Sequence, residues 1–212
     1  MELIAIFDFD GTLIKRDSMV LFFLRYFNFS WKNILNLFQL ALVTIKFFLK
    51  IYSQKKYKEK FLNLVINSSK IKDPEKIADD FSEYLLKLIF KDARKRIIKL
   101  KDKGYKLVLL SASPDFYLKK IKDSLGFSKL ICTKTNFKNG KITISGEDCY
   151  GKNKIKMLLD EYRRENVNWG KSYCFADNKS DKHLLSLFGN AYIVNNKRFG
   201  KDNSNFKLLT WK

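Results

Sequence analysis

The chain has 212 residues, of which 46% are hydrophobic and 15% aromatic, with two prolines and nine glycines. That suffices for one domain with a real core, or one core plus a modest insertion, and excludes a disordered or collagen-like chain. Cys132, Cys149 and Cys174 lie far apart with no C-x-x-C, which argues against a disulfide scaffold or structural zinc and fits a reducing compartment. The single histidine, His183, excludes sites that need two or three imidazoles. Lys and Arg number 42 against 22 Asp and Glu, a net charge of +20 that favours polyanions: anionic lipid heads, nucleic acid or phosphorylated metabolites.

The amino terminus opens on an apolar run, 3–7 (LIAIF), rather than on a basic region and cleavage site, so a secretory signal is not expected. A continuous run of this length suits a strand buried on both faces, as in a parallel sheet. Similar runs recur at 106–110, 172–176 and 191–194. Helix-like stretches occupy 92–103, 115–125, 152–164 and 181–188, and this alternation predicts a doubly wound α/β sheet. Asn139-Gly140, between NFK and KITIS, is a two-residue hairpin signal.

Residues 17–91 break the alternation. They read as helical throughout, with a helix start at Asp73-Pro74-Glu75, and form an insertion after the first strand. The expected division is a core of 1–16 and 92–212 and an inserted domain of 17–91. Within the insertion, 18–58 has no acidic residue, seven basic ones and eleven aromatics. Its longest uncharged run, 33–45, is shorter than the roughly 18–20 residues that cross a bilayer. Lys32, Asn36, Gln39, Val43, Lys46 and Lys50 make one narrow polar stripe on a helix otherwise apolar nearly all round. Such a helix is sandwiched in protein, dimerised or laid in a membrane interface; the plainest expectation is that it forms the core of the insertion.

Asp8-Phe9-Asp10-Gly11-Thr12-Leu13 ends the first strand. In extended chain Asp8 and Asp10 point to one side and Phe9 to the other. Two carboxylates so placed tolerate each other best around a cation or with one protonated. Gly11 and Thr12 allow a tight turn whose amides can face an anion. Three later segments also end elements: Ser111-Ala112-Ser113 after KLVLL, Lys152-Asn153-Lys154 opening the helix after Cys149-Tyr150-Gly151, and Asp177 and Asp181 after YCFA.

In this order the four segments resemble the four motifs of the haloacid dehalogenase (HAD) superfamily. The resemblance covers nearly the whole core and implies a Rossmann-like α/β fold with an all-helical cap after the first strand. A cap in that place, the SASP-like second motif and the C-x-G-x-x-K third motif are similar to the branch of phosphoserine phosphatase, subfamily IB; Lys154 is then the motif lysine. Asn178-Lys179-Ser180 departs from the usual glycine- or serine-rich spacing of the fourth motif.

The resemblance implies a Mg2+-dependent phosphomonoester hydrolase acting through an aspartyl-phosphate. Asp8 would be the nucleophile and Asp10 the general acid and base, with Lys154 offsetting charge on the phosphoryl group. Gly11, Thr12, Ser111, Ala112 and Ser113 would meet phosphate oxygens, and Asp17 the rest of the substrate. Asp8, Asp10 (through its main-chain carbonyl), Asp177 and Asp181 would serve the metal, Asp181 as a distant ligand or by orienting metal-bound water. The pattern with a second acid differs from the ion-pumping ATPases, whose motif resembles D-K-T-G.

Phosphoserine phosphatases hold the serine carboxylate with a cap arginine. Here 17–91 offers only Arg25, in another context, with Lys58 or Lys60 as substitutes. The expected substrate is a small phosphorylated metabolite. The acid-free aromatic stretch keeps open a membrane-associated lipid-phosphate phosphatase, similar to the phosphatidylglycerophosphatases of the superfamily. A cytoplasmic location is expected, with peripheral contact to the inner face of an anionic membrane in the second case. A basic nucleic-acid-binding protein on a HAD fold is the alternative of another class, but the basic residues are spread along the chain rather than clustered beside stacking aromatics, so nucleic acid is not the expected partner. Oligomeric state is left open.

Overall fold

Strand β1 (Ile4–Phe7) is wholly buried because helices cover both faces of its sheet. Ala5 and Phe7 enter one hydrophobic cluster, Ile4 and Ile6 another. The same alternation runs through β2 (Lys106–Pro114), where Leu107 and Leu109 face the first cluster and Val108 and Leu110 the second. Each unbroken apolar run is thus two interleaved faces, each with its own core. The computed structural model in which these contacts are seen describes residues 1–71, 73–138, 140–201 and 205–212, Lys201 by its backbone alone.

The remaining strands are β3 (Lys129–Lys138), β4 (Lys141–Ser145), β5 (Tyr173–Ala176), β6 (Asn190–Val194) and β7 (Lys207–Leu209). They form one sheet in the order β4-β3-β2-β1-β5-β6-β7, parallel except for β3 and β4. The expected α/β architecture is therefore present. Two strands were not expected as such: β3, of which only the hairpin arm was signalled, and β7. The β3–β4 pair closes as Lys138 opposite Lys141, with Gly140 at φ +71°; Asn139, the first residue of the predicted turn, lies outside the described residues.

Residues after β1 form α1 (Ser18–Tyr26), α2 (Ile34–Phe48), α3 (Gln54–Ser68) and α4 (Pro74–Lys87). Asp73 caps α4 as predicted, its carboxylate accepting from the amides of Glu75 and Lys76. Phe22, Phe61 and Phe81 from this segment lie in the same cluster as Phe7 of β1 and Tyr117 of α6 (Asp115–Ser124). That cluster also takes in α5 (Lys91–Asp102), while α7 (Lys152–Glu161), α8 (Lys182–Leu185) and α9 (Lys197–Lys201) cover the other face.

The expectation for the apolar helix is overturned. Helix α2 is not the core of the insertion: it buries only Leu40 and Val43. Val43, a member of the predicted wet stripe, faces the protein, and the broad apolar side faces outward. Among the described residues no helix is long and apolar enough to cross a membrane.

Helices α1 and α4 are tied by Arg25, whose guanidinium donates two bonds to Asp80 at 2.9 and 3.0 Å, and by the Tyr26 hydroxyl on the same carboxylate at 2.5 Å. These donors hold the Asp80 carboxyl below its ordinary range. Its contribution is therefore present above the unfolded value of about 3.9 and lost as pH falls through the lower folded value. Arg25 and Asp80 are each more than a third exposed, so screening keeps the pair to about 1 kcal/mol or less. Asp80→Asn is expected to lower Tm slightly at pH 7, and the difference from the wild type in thermal melts should start to shrink below about pH 3.9 and vanish below the lower folded value.

Candidate active site

The site lies at the carboxyl ends of β1, β2 and β5, where the chain leaves β1 for opposite directions across the sheet. Such switch points leave a crevice that helices cannot fill. Here a cavity of about 500 Å³ lies between these strand ends and helices α1 to α3.

Asp8 continues the line of β1, its amide donating to the Phe175 carbonyl at 2.9 Å. Its side chain is buried at the cavity floor. Phe9 turns into the core, and Asp10 returns to the cavity, as the alternation predicts. Gly11 follows at φ +71°, a left-handed conformation natural to glycine. A Cβ there would stand 2.1 Å from Asp177 Oδ2, so Gly11 is what lets the tip of β1 approach the acid that follows β5. Thr12 is the exception among the predicted site residues. It is wholly buried, its amide is spent on the Phe9 carbonyl at 3.3 Å, and it does not line the cavity. The turn after Gly11 closes on itself and carries Thr12 away.

Lys154 is the buried cation. Residues two apart on a helix project roughly 200° apart, so with Lys154 inward Lys152 faces solvent. The Lys154 ammonium lies 3.2 Å from Asp8 Oδ1 and 2.9 Å from Asp181 Oδ2. Asp181 is therefore the partner of Lys154 in this arrangement. It ends a short 3-10 turn, Lys179–Asp181, whose start is capped by Asn178 Oδ1 accepting from the Ser180 amide at 3.0 Å. That asparagine cap stands where glycine or serine was expected.

Asp10 is held differently. The Ser18 amide donates to its Oδ1 at 2.7 Å, and the Ser18 and Ser113 hydroxyls meet its Oδ2. Ser18 Oγ also meets the buried Tyr117 hydroxyl at 2.8 Å. Ser113, predicted to bind phosphate, is thus engaged with Asp10. Ser18 and Tyr117 escaped the sequence reading; a serine one residue inside a helix start and a tyrosine on a core helix carry no signal of their own. Ser111 and Ala112 line the cavity as expected. Asp17 also lines it, with Oδ1 committed to capping α1 through the amides of Met19 and Val20.

The acids crowd one another. Desolvation raises Asp8 well above the ordinary carboxylate value; Lys154 opposes this and the neighbouring acids reinforce it. Burial, helped by Asp17, pushes Asp10 up to about 7, against the Ser113 and Ser18 hydrogen bonds. Burial and Asp181 push Asp177 up to about 6. Burial would lower Lys154, but Asp8 and Asp181 more than reverse this and raise it. Five carboxylates, Asp17 included, thus line a cavity whose two buried ammoniums, Lys154 and Lys58, are already paired. A hard divalent cation suits such an excess of oxygen charge. Among the described residues no three side chains of His, Cys, Asp or Glu are grouped so as to hold a metal ion. Asp10 is turned to its serines and Asp181 to Lys154. Of the expected donors, the Asp8 and Asp177 carboxylates line the cavity and suit magnesium, with water able to make up the rest.

Neither the cap arginine nor its expected substitutes Lys58 and Lys60 offer a free cation in the wall, and Lys60 lines the groove beside α2, α3 and β4 instead. Arg25 is bound to Asp80 and does not line the cavity. Lys58, on α3, is buried and donates to Asp148 Oδ1 and to the Ala112 carbonyl, both at 2.6 Å.

Residues 5–186 match the family model of haloacid dehalogenase-like hydrolases, and the chain belongs to that family. A search of curated proteins finds no match. Among solved structures, a protein of unknown function from Bordetella pertussis Tohama I superposes with a TM-score of 0.79 at 17% identity, over 99% of this chain and 98% of that one. A phosphoserine phosphatase in apo form gives 0.68 at 19% identity, over 98% and 94%. A phosphoserine phosphohydrolase-like protein from Francisella tularensis subsp. tularensis SCHU S4 gives 0.65 at 18%, over 99% and 95%. These likenesses describe the fold.

Removing one partner of a buried pair strands the other charge. Lys154→Met is expected to cost about 3 kcal/mol, read as a fall in Tm, while Lys152→Ala leaves the melt unchanged. Equal losses would place the motif lysine at the wrong residue.

Proposed function

We propose that the protein is a phosphomonoester hydrolase that works through an aspartyl-phosphate on Asp8 and requires Mg2+. The observation that carries this reading is the pairing of two unlike carboxylates at one strand end. Asp8 is held by an ammonium, and Asp10, two residues on, is held by hydroxyls. Burial pushes both towards neutrality; the ammonium beside Asp8 favours the ionised form that a nucleophile needs, and the hydroxyls on Asp10 hold it where it can give and take a proton.

Asp8 attacks phosphorus as the bond to the leaving alkoxide breaks, and Asp10 gives that oxygen its proton. Asp10 then takes a proton from the water that attacks the phosphoryl group, freeing inorganic phosphate and restoring the Asp8 carboxylate. Ser18, Ser113 and Tyr117 keep Asp10 in place through both steps. Lys154 offsets charge at the phosphoryl oxygens, and Ser111 with the Ala112 amide holds them. The Asp8 and Asp177 carboxylates with the Asp10 main-chain carbonyl would hold magnesium, which would supply charge neutralisation and orientation of the phosphate.

Phosphate release from p-nitrophenyl phosphate is expected in Mg2+ and abolished by EDTA. Asp8→Asn should remove it, and Asp10→Asn should lower kcat by about 10²- to 10⁴-fold. Turnover that survives EDTA and Asp8→Asn would reject the mechanism.

A lipid phosphate is the second reading, alongside a small metabolite. Met19, Val20, Phe47 and Phe61 form an apolar part of the cavity wall, and among the described residues no arginine lines it. An apolar leaving group fits that wall better than a zwitterionic one. In detergent, lysophosphatidate is expected to give a kcat/KM at least about tenfold above phosphoserine, as each buried methylene adds roughly 0.8 kcal/mol. The reverse order would favour the metabolite.

A further inference from the structure

The outward side of α2 is apolar along its whole length. Trp31, just before the helix, is 88% exposed, Leu35 70%, Phe38 68% and Phe48 76%. Leu42, Ile45 and Leu49 lie exposed along the same side. Fifteen residues at 1.5 Å each make a face about 22 Å long, larger than the scattered apolar residues that monomeric surfaces ordinarily show. It is not a misplaced core stripe. The inner side of the helix is already packed, with Phe47 stacked on Tyr57 of α3 at 4.5 Å.

Its charged surroundings are of one sign. Lys32 and Lys50 flank the face, and no acid occurs between 18 and 58. Beside it, the groove between α2, α3 and β4 carries Lys55, Lys56, Lys60 and Lys141 around a single Glu59, whose carboxylate accepts from the Ile144 amide. The molecule as a whole carries +20.

We infer that this face of α2 seats the protein on an anionic phospholipid bilayer. The apolar side chains enter the interface, Trp31 lies at headgroup depth, and the flanking lysines extend to the phosphates. A second copy is a poorer occupant. In a two-fold contact the same patch meets itself, so the lysines that flank it would be brought against the like-charged rim of the other copy, with no acid in the segment to pair them. The docked face and the catalytic cavity are two sides of one helix, since Phe47 in its last turn lines that cavity. The binding itself does not depend on the proposed chemistry.

The test is co-sedimentation of the full chain with phosphatidylcholine vesicles, with and without one-third phosphatidylglycerol, at low salt. Binding is expected to the anionic vesicles only, to weaken with salt, and to shift the Trp31 emission to the blue, a shift lost in Trp31→Phe. Leu35→Ser with Leu42→Ser, both at exposed positions, should keep the wild-type Tm and reduce the partition coefficient at least about tenfold. The inference is overturned if the wild type stays in the supernatant with anionic vesicles, or if the double variant binds as well as the wild type. It is equally overturned if light scattering shows a dimer that the double variant converts to monomer, which would assign the face to a second copy.

Discussion

A carboxylate buried at the end of a central strand is costly, and the rest of the site is organised around that cost. Asp8 is surrounded by strand ends and loses most of its hydration, which favours the neutral acid. The Lys154 ammonium opposes this, yet it is shared with Asp181. One cation therefore joins three parts of the chain: the tip of β1, the first turn of α7 and the turn after β5. An unpaired charge at any of the three would be left in a dry place. The close approach of Gly11 to Asp177 belongs to the same arrangement, because any side chain at residue 11 would displace the acid.

The helical segment is bound to this centre by more than apolar packing. Lys58 reaches from α3 to Asp148 and to the Ala112 carbonyl, and the Thr133 hydroxyl meets the same two acceptors. These donors hold the Ala112–Ser113 peptide, and Ser113 in turn holds Asp10. Further along α3, Asn63 exchanges two hydrogen bonds with the backbone of Ile142, and Glu59 accepts from the Ile144 amide. Side chains of a helix thus satisfy the open edge of β4, where another strand would otherwise pair. The position of Asp10, the proposed general acid, consequently depends on where α3 sits, through Lys58 and the Ala112–Ser113 peptide.

Much of this is legible in the sequence. The strands β1, β2, β5 and β6 announce themselves because burial on both faces demands unbroken apolar runs. The acids at their ends stand out because carboxylates are rare beside such runs. What was hidden follows from weaker local signals. Strand β3, KLICTKTNFK, mixes lysines and threonines because its far half is an exposed ribbon. Strand β7 is three residues long, with Lys207 and Leu208 exposed. The serines and tyrosine around Asp10 come from three separate segments, and only the fold assembles them. Helix α2 misled for a different reason. Its polar stripe was narrow, so hydrophobicity alone pointed inward, but the space beside α3 admits just one flank of the helix.

Charge at two scales bears on how an anion reaches the site. The molecule carries +20, which draws phosphates from a distance. Within the cavity the balance reverses: Asp8, Asp10, Asp17, Asp177 and Asp181 face Lys154 and Lys15, and Lys58 is neutralised by Asp148. A phosphomonoester dianion brought close by the outer field would meet a local excess of carboxylates. Protonation relieves part of that repulsion, as the raised Asp10 and Asp177 indicate, but a protonated Asp8 would be no nucleophile. A divalent cation relieves it while leaving Asp8 ionised, because two positive charges among oxygen donors favour the deprotonated forms. For the proposed magnesium, binding before the substrate is therefore the order that the electrostatics of this cavity favour.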